Sequence, residues 1–496
     1  MRNSKQIVDS IKSRDSNFWI HEGNRQSLRL FHKAAQRVPA YKDFLKKEAI
    51  KPAHIKTWDD FQNVPPVNKK DYLMKYPIED LCWDGKLNNA LVYTATSGST
   101  GEPLYFLRTE QLDYQYSLII KVLLDNKKQS HRESTLVINA FSMGVWIGGL
   151  ITYKAFEIAS RKWGYSLSII TPGINMPQIL SALKKLSPKY KRTILVGYPP
   201  FVKDILDTAV REKIDLKKLH TRFLFAAESF DENFRQYIYK IAGVQNILTD
   251  TMNVYGSAEL GAMASETPFT ILLRKEAIKK KSLYRKLLNQ AHRIPTVAQY
   301  CPYFINFEAV NGELYITGDN AIPFVRYAIG DQGGAMPFSK AINICKENGV
   351  DISRNISSAK IKNTLTQLPI VYVYERKDFV ISFYGLQMYP EHIREALLSS
   401  SLEKLITGKF TIETKYDNKQ DQFLELMIEL KPGVLISMVE KNKILEKVMT
   451  VLKVKNSEFN ELHKYLGNRA VPRLVFFGYQ DPKHFTQGVK QKWVIK

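Results

Sequence analysis

The sequence has neither a long apolar run nor a cysteine framework. No stretch reaches the roughly 18 consecutive apolar residues of a membrane-spanning helix. The charged N-terminus lacks the apolar core and cleavage site of a signal peptide, so we expect a cytoplasmic protein. Cys82, Cys301 and Cys345 lie far apart, which excludes a disulfide pattern or a cysteine-rich zinc spacing. What is left is an ordinary globular chain, whose 496 residues predict two or more domains.

Acidic residues are scarce relative to basic ones. The 49 Asp and Glu residues face 72 Lys and Arg residues, and the net charge of +23 attracts polyanions, anionic membranes, acidic carrier proteins and phosphorylated substrates. In the densest basic segment, 272–293, Leu283, Leu287 and Leu288 recur at helical spacing. We interpret it as the solvated face of a packed helix, with peripheral membrane contact or an acidic partner as alternatives. No recognition helix, finger or RNP-type motif is present, so specific nucleic-acid binding is not expected.

From residue 134 onward, apolar β-branched runs alternate with amphipathic helical segments about every 30 residues. Predicted strands cover 134–141, 166–171, 193–197, 222–229 and a last stretch that ends at Gly256. Right-handed crossovers would gather them into a mostly parallel sheet with helices on both faces. The fold class is therefore α/β, and ligands of such folds bind at the carboxyl ends of the strands.

The C-terminal part has a different pattern. A helix from Pro390 is followed by alternating strands at 409–416 and 423–430, and then by a long helix from about 437 to 465. This α+β pattern predicts a large N-terminal domain over residues 1–377 and a small, mobile C-terminal domain over 378–496.

A loop rich in hydroxyl groups and glycine, TATSGSTGEPLYF, occupies residues 94–106. Backbone N–H groups and hydroxyls in such a loop can cradle nucleotide phosphates. It is not a Walker A loop, because the chain contains no GxxxxGK[ST]. Clusters of Ser and Gly are more often ordinary turns, so the interpretation depends on companion motifs.

Further motifs follow in a fixed order: AAES at 226–229, NVYGSAE at 253–259, GELYITG at 312–318, RYAIGD at 326–331 and ERKDFVISFYGLQMYPEHI at 375–393. With these motifs the chain resembles the adenylate-forming superfamily of acyl-CoA synthetases, adenylation domains and luciferases, and within it the phenylacetate-CoA ligase branch. The resemblance extends from residue 94 to about residue 492. Each match is short, but their common order makes coincidence a poor explanation.

The resemblance implies ATP, Mg²⁺ and coenzyme A as ligands. Attack of a carboxylate on ATP builds negative charge at the α-phosphate, which calls for a metal, fixed donors and a cation. Glu259 would bind Mg²⁺, Asp331 would accept the ribose hydroxyls and Tyr255 would stack on adenine. Asp378 would be the hinge, and Gly385 would face the thiol channel. The other implied nucleotide-binding residues are Thr96, Ser97, Gly98, Ser99, Thr100, Gly101, Ala227, Glu228, Gly256, Ser257, Ala258 and Arg376.

The chain departs from the family pattern at three places. Ala258 stands where a hydroxyl usually donates to phosphate, and Ser257 is the expected substitute. Leu104 stands where many members carry Lys, a position that is less demanding in the phenylacetate-CoA ligase branch. The catalytic lysine near the C-terminus is displaced from its glycine, so Lys490 is the first candidate and Lys492 the second. Its ammonium would offset charge on the carboxylate and the α-phosphate.

The pocket for the acid is the least legible part of the sequence. The segments 141–149 and 196–201 lie where the family builds it, with Phe141, Trp146 and Tyr198 as walls and Gly148 opening space. Aromatic residues and glycines beside strand ends are more often packing residues. No charged residue is committed to a polar tail, so an apolar small-molecule acid is expected.

We therefore expect an adenylate-forming ligase that activates a carboxylic acid with ATP, releases pyrophosphate and transfers the acyl group to coenzyme A. A second hypothesis is transfer to an acidic carrier protein or a protein thiol. A third is a non-catalytic basic protein on membrane or nucleic acid, with a site decayed at Ala258. The sequence leaves open the identity of the acid, the identity of the acceptor and the oligomeric state, for which a homodimer is one alternative.

Overall fold

The computed structural model describes residues 4–87, 92–95, 104–126, 131, 133–144, 147–289, 295–376, 381–485 and 494–495. The chain divides into two compact units. The large unit comprises Met1–Thr94, Phe106–Gly197 and Leu206–Glu375, and the small unit comprises Ala95–Tyr105, Tyr198–Ile205 and Arg376–Lys496. Residue 378, the predicted domain boundary, lies outside the described residues.

The described helices and strands follow each other along the whole chain. The α-helices are α1 Ser4–Ser13, α2 Ser16–Arg37, α3 Pro39–Lys47, α4 Trp58–Gln62, α5 Ile78–Leu81, α6 Glu110–Asp125, α7 Ile147–Trp163, α8 Met176–Lys185, α9 Pro199–Arg211, α10 Glu232–Ala242, α11 Ile247–Asp250, α12 Pro268–Lys279, α13 Lys281–Leu288, α14 Phe338–Glu347, α15 Ile352–Ser358, α16 Pro390–Leu397, α17 Met438–Lys455 and α18 Ser457–Leu466. The strands are β1 Val67–Asn68, β2 Val92–Ala95, β3 Tyr105–Arg108, β4 Thr135–Asn139, β5 Leu167–Ile170, β6 Arg192–Gly197, β7 Thr221–Ala226, β8 Thr251–Ser257, β9 Gly261–Ser265, β10 Thr296–Gln299, β11 Ile305–Val310, β12 Glu313–Gly318, β13 Phe324–Met336, β14 Ile370–Arg376, β15 Ile381–Phe383, β16 Leu386–Met388, β17 Ile406–Tyr416, β18 Gln422–Leu430, β19 Arg473–Phe477 and β20 Val494–Ile495.

A 12-stranded mixed sheet organises the large unit, in the order β11-β12-β13-β14-β10-β9-β8-β7-β6-β4-β5 with β1 beside β13. The strands β5, β4, β6, β7 and β8 are parallel, as the alternating sequence pattern predicts. All residues of β4 and β6 are buried, which is typical of parallel strands covered on both faces. The α/β class is therefore confirmed.

Beyond β8 the sheet changes to antiparallel pairing through β9, β10 and β14. The N-terminal segment joins this half of the sheet, because Val67 pairs with Tyr327 in the β1–β13 ladder. Arg326, on β13, is buried and donates to the carbonyl oxygens of Gln62 and Val64. These contacts attach the segment around residues 62–68 to the strand that carries Asp331.

Helix ends in the large unit follow the expected capping chemistry. Asn175 caps α8 by accepting from the Gln178 amide at 3.1 Å, as its sequence position predicts. Ile179, Leu180 and Leu183 form the buried face of this helix. The segment 272–293 contains α12 and α13, and Leu283, Leu287 and Leu288 are all buried in the core. This supports the packed-helix interpretation of the basic segment.

The small unit contains a four-stranded sheet in the order β19-β18-β17-β20 and a β15–β16 hairpin. The strands predicted at 409–416 and 423–430 lie within β17 and β18, which pair antiparallel. The single helix predicted from 437 to 465 is wrong, because α17 ends at Lys455 and α18 begins at Ser457. Asn456 is extended between them, and its side chain accepts from the Phe459 amide at 2.9 Å to start the second helix. Throughout the described ranges, every helix is too short or too polar to span a bilayer.

Candidate active site

Two predicted nucleotide-binding residues meet through a hydrogen bond. Tyr255 lies near the carboxyl end of β8, and Asp331 lies in the middle of β13. The Tyr255 hydroxyl donates to Oδ2 of Asp331, which is 7% exposed. The Tyr255 ring is half-buried and lies 6.1 Å from the Phe307 ring, at an interplanar angle of 37°. The structure therefore joins the residues expected beside adenine and ribose.

Glu259 lies in the turn between β8 and β9, directly after the last parallel strand. Its Oε1 accepts a hydrogen bond of 3.1 Å from the Tyr327 hydroxyl, and its side chain is buried. The Asn320 amide donates to the Glu259 backbone oxygen at 3.2 Å and to the Leu107 oxygen at 3.1 Å. The turn and its carboxylate are thus fixed from two directions.

The other residues of this turn are tightly placed. A Cβ on Gly256 would lie 2.6 Å from the Gly261 carbonyl oxygen, so only glycine fits the close approach of β8 and β9. The Ser257 hydroxyl accepts from the Leu260 amide at 3.2 Å, and its O–H is a donor by its own chemistry. Ala258, between Ser257 and Glu259, brings no hydroxyl to the turn.

Ala227 and Glu228 follow the carboxyl end of β7, next to β8 in the sheet. Ala227 has a φ of +74°, a left-handed conformation that is uncommon for residues other than glycine. The Asn253 side chain donates to the Glu228 carbonyl oxygen at 3.0 Å, so the segment after β7 is linked to the body of β8. Backbone distortion of this kind clusters at ligand sites, and the adenine role of these two residues stays a prediction.

A buried ionic cluster lies behind β8, and the sequence analysis missed it. The Arg235 guanidinium donates to both Glu266 oxygens, at 2.8 and 3.0 Å, and to the Thr251 hydroxyl at 2.6 Å. Glu266 also accepts the Asn253 amide at 2.9 Å. Arg274 lies 3.5 Å from Glu266. The cluster fixes the start of β8, the strand that presents Tyr255.

Arg108 and Tyr327 are two further residues that the sequence analysis missed. Arg108 is buried, pairs with Asp113 at 2.7 Å and lies beside Gly261, where a Cβ would be 3.1 Å from its Nη1. Burial lowers the pKa of Arg108, and the Asp113 carboxylate opposes this effect. A period of two along β13 places Tyr327 on the same strand face as Asp331, and this signal could have identified Tyr327.

In the small unit, Tyr198 and Gly385 lie together. A Cβ added to Gly385 would be 2.4 Å from Cδ1 of Tyr198, so the ring packs directly on this glycine. A predicted wall of the acid pocket therefore contacts the residue predicted to face the thiol channel.

Two other predicted pocket residues belong to the large unit. Phe141 is buried after β4, and Gly148 is half-buried in the first turn of α7.

Several predicted site residues lie outside the described residues. They are the phosphate-loop residues Thr96, Ser97, Gly98, Ser99, Thr100 and Gly101, the pocket residue Trp146, the hinge residue Asp378 and the lysines Lys490 and Lys492. Arg376 ends β14, and its side chain is also outside the described part. The roles of all these residues stay predictions.

The donor set fits Mg²⁺ brought in with a nucleotide. Within the described ranges, His, Cys, Asp and Glu side chains form no group of three that could hold a metal ion. Mg²⁺ commonly binds through one or two carboxylates, with phosphates and water completing its shell. The single Glu259 carboxylate, oriented by Tyr327, suits that arrangement.

No family model matches the chain, and no curated protein matches its sequence. Solved structures match its fold. One is 2-hydroxyisobutyryl-CoA ligase in complex with 2-HIB-AMP and CoA in the thioesterification state, with a TM-score of 0.64 and 14% identity, over 100% of this chain and 93% of that chain. The same ligase with 2-HIB-AMP in the postadenylation state gives a TM-score of 0.53 at 14% identity, over 98% and 91% of the two chains.

The chain thus has the fold of this CoA ligase. The likeness confirms the fold that the motif resemblance implies, and it shows the fold alone. The narrower assignment to the phenylacetate-CoA ligase branch stays a prediction.

Proposed function

We propose that the protein is an adenylate-forming acid–thiol ligase that uses ATP and Mg²⁺ to activate an aryl or acyl carboxylic acid and then transfers the acyl group to coenzyme A. The observation that carries the proposal is the hydrogen bond between Tyr255 and Asp331 beside the Glu259 turn, in the fold of a CoA ligase. The structures of that ligase hold 2-HIB-AMP and CoA, the kinds of ligand that both steps require.

In the first step, an oxygen of the substrate carboxylate attacks the α-phosphorus of ATP, and pyrophosphate leaves. Asp331 would accept the ribose hydroxyls, with its carboxylate oriented by Tyr255. Mg²⁺, when bound, would neutralise charge on the phosphates, and Glu259 is the residue that would hold it. Ser257 would donate to a phosphate oxygen in place of the hydroxyl missing at Ala258.

In the second step, the thiol sulfur of coenzyme A attacks the carbonyl carbon of the acyl-adenylate. The carbon–sulfur bond forms, the bond to the phosphate oxygen breaks, AMP leaves and the thiol proton passes to water. The Gly385 backbone would line the approach of the thiol, as the motif resemblance implies, and the Tyr198 ring packs directly on this glycine. The excess of basic residues suits the phosphates of coenzyme A.

Acid-dependent pyrophosphate release from ATP tests the proposal. The purified protein is given ATP, Mg²⁺ and a panel of aryl and aliphatic acids, and we expect release with at least one acid. Adding coenzyme A or an acyl carrier protein to the reaction with an active acid identifies the acceptor. If a thioester forms on the carrier protein but not on coenzyme A, the carrier protein is the acceptor. If no acid causes pyrophosphate release and the protein does not bind ATP, the proposed enzymatic function is refuted, and the hypothesis of a non-catalytic protein is left.

Glu259→Gln tests the metal assignment within this assay. The amide keeps an oxygen for the Tyr327 hydroxyl but loses the negative charge, so we expect a rate of pyrophosphate release about 10²-fold lower and a higher Mg²⁺ requirement. Glu461→Gln is the matched control, because Glu461 is an exposed carboxylate paired with Lys464 on α18. Equal rates for the two variants would remove the metal role of Glu259.

A further inference from the structure

The turn between β15 and β16 has a backbone conformation that its sequence disfavours. Phe383 pairs with Leu386, which leaves Tyr384 and Gly385 as a two-residue hairpin loop. Both have positive φ, +51° and +80°, as a type I′ turn requires. Asn, Asp or Gly normally occupies the first of these positions, and a bulky residue there is strained. Tyr384 therefore persists in this turn because surrounding contacts hold it there.

Several contacts among the described residues hold Tyr384. Its ring is 1% exposed, its amide donates to Oε1 of Gln422 at 2.7 Å, and its hydroxyl accepts from Nη2 of Arg469 at 2.6 Å. Arg469 belongs to the short 3₁₀ turn Gly467–Ala470 that follows α18. The next residue, Gly385, is pressed against the Tyr198 ring. A movement of the Tyr384 side chain would thus displace the Gly385 backbone.

Arg469 is itself fixed by acidic partners. Its Nη2 also donates to Oδ1 of Asp204 at 2.6 Å and lies 3.9 Å from Asp421. Asp421 in turn pairs with Lys203 at 2.7 Å. Asp204 and Lys203 are 5% and 2% exposed, whereas the side chains of Arg469 and Asp421 are 45% and 35% exposed, so the cluster joins two buried charges to two partly solvated ones. Burial raises the pKa of Asp204, and the Arg469 guanidinium opposes that rise.

We propose that Arg469 is a positioning residue for the transfer of the acyl group to the thiol. Arg469 bridges Asp204 and the Tyr384 hydroxyl and thereby fixes the strained Tyr384–Gly385 turn. The position of the Gly385 backbone, along which the thiol would approach, is fixed as a result. This inference rests on the proposed function and deepens it. Arg469 acts through Tyr384 and touches neither the acid nor the nucleotide in the adenylation step.

The two half-reactions are measured separately in Arg469→Ala, Arg469→Lys and Tyr384→Phe. Pyrophosphate release with acid and ATP reports the first step, and thioester formation from supplied acyl-adenylate and coenzyme A reports the second. We expect Arg469→Ala to lower kcat of the second step about tenfold to a hundredfold, with KM for coenzyme A and the first step little changed. Arg469→Lys should restore part of kcat, because both bonds come from Nη2 alone and an ammonium can also donate to two partners, although from a side chain of different length.

Tyr384→Phe keeps the buried ring and removes only the hydroxyl, so it tests the bridge even where Arg469→Ala folds poorly. Lys464→Ala on α18 is the control, since it breaks an exposed ion pair with Glu461 in the same unit. Unchanged transfer in both Arg469→Ala and Tyr384→Phe overturns the inference alone, as does an equal fall in both half-reactions. A higher KM at constant kcat means that Arg469 binds coenzyme A directly, and this also overturns it. A wild-type protein that activates no acid overturns the proposed function and the inference together.

Discussion

Replacing Arg235 by Met tests whether the buried ionic cluster supports β8. Methionine fills much of the same volume but removes the donors to Glu266, Thr251 and Glu232. Glu266 is 1% exposed and, among the described residues, would keep the Asn253 backbone amide at 2.9 Å and Arg274 at 3.5 Å. Removing one partner of a buried pair costs about 3–5 kcal/mol, because the other charge stays uncompensated. Since two contacts remain, we expect a loss of about 3 kcal/mol in the free energy of unfolding.

Urea denaturation followed by far-UV circular dichroism measures this loss, with variants compared at a common m-value. Arg161→Met is the matched control: Arg161 is 82% exposed and pairs with Glu157 at 2.7 Å, so its loss should cost less than about 1 kcal/mol. The double variant Arg235→Met, Glu266→Met removes both charges of this pair. Its loss in free energy of unfolding should be smaller than the sum of the two single losses by about 1–3 kcal/mol. The ionic cluster does not support β8 if Arg235→Met loses no more free energy of unfolding than Arg161→Met. The same conclusion follows if the two single losses add strictly in the double variant.

Three further predictions concern the site. Tyr255→Phe removes the donor to Asp331 and should weaken ATP binding about tenfold by calorimetry; an unchanged Kd would show that the hydroxyl does not prepare Asp331 for ribose. Gly385→Ala places a Cβ 2.4 Å from Tyr198 at a φ of +80°, so we expect a loss of about 1–3 kcal/mol in stability and slower thioester formation, and wild-type values for both would contradict this contact. Lys490→Ala should lower adenylation about 10²-fold and spare thioester formation from supplied acyl-adenylate, and the same effect from Lys492→Ala instead would shift the assignment to Lys492.

The parallel half of the large sheet was predictable because its strands are continuous apolar runs separated by amphipathic helices. The runs of β4 and β6 are buried throughout and that of β7 almost throughout, so no polar alternation obscures them, whereas β5 at the edge of the sheet is partly exposed. The antiparallel half was not predictable in the same way. Thr296 in β10 pairs with Val373 in β14, far along the chain, and no local pattern records such a pairing.

The motifs indicate single candidate site residues, but they do not indicate the partners that position those residues. Glu259 and Asp331 are named from the motifs; the structure places Glu259 in the turn after β8 and Asp331 next to Gly330 in the middle of β13. Asn320, by contrast, fixes the Glu259 turn from a loop after β12, a contact that depends on the tertiary fold alone. Arg235 likewise reads as one more solvated helix charge in the sequence, although it is 0% exposed.

The attachment of the N-terminal segment to β13 has a consequence for the order of folding during synthesis. Gln62 leaves the ribosome 264 residues before its partner Arg326. Contacts of such long sequence separation form late, since the loop must close before they stabilise anything. The N-terminal helices must therefore wait, with part of their apolar surface uncovered, until β13 has been made. We expect nascent chains shorter than this point to be the form most dependent on chaperones and most prone to aggregate.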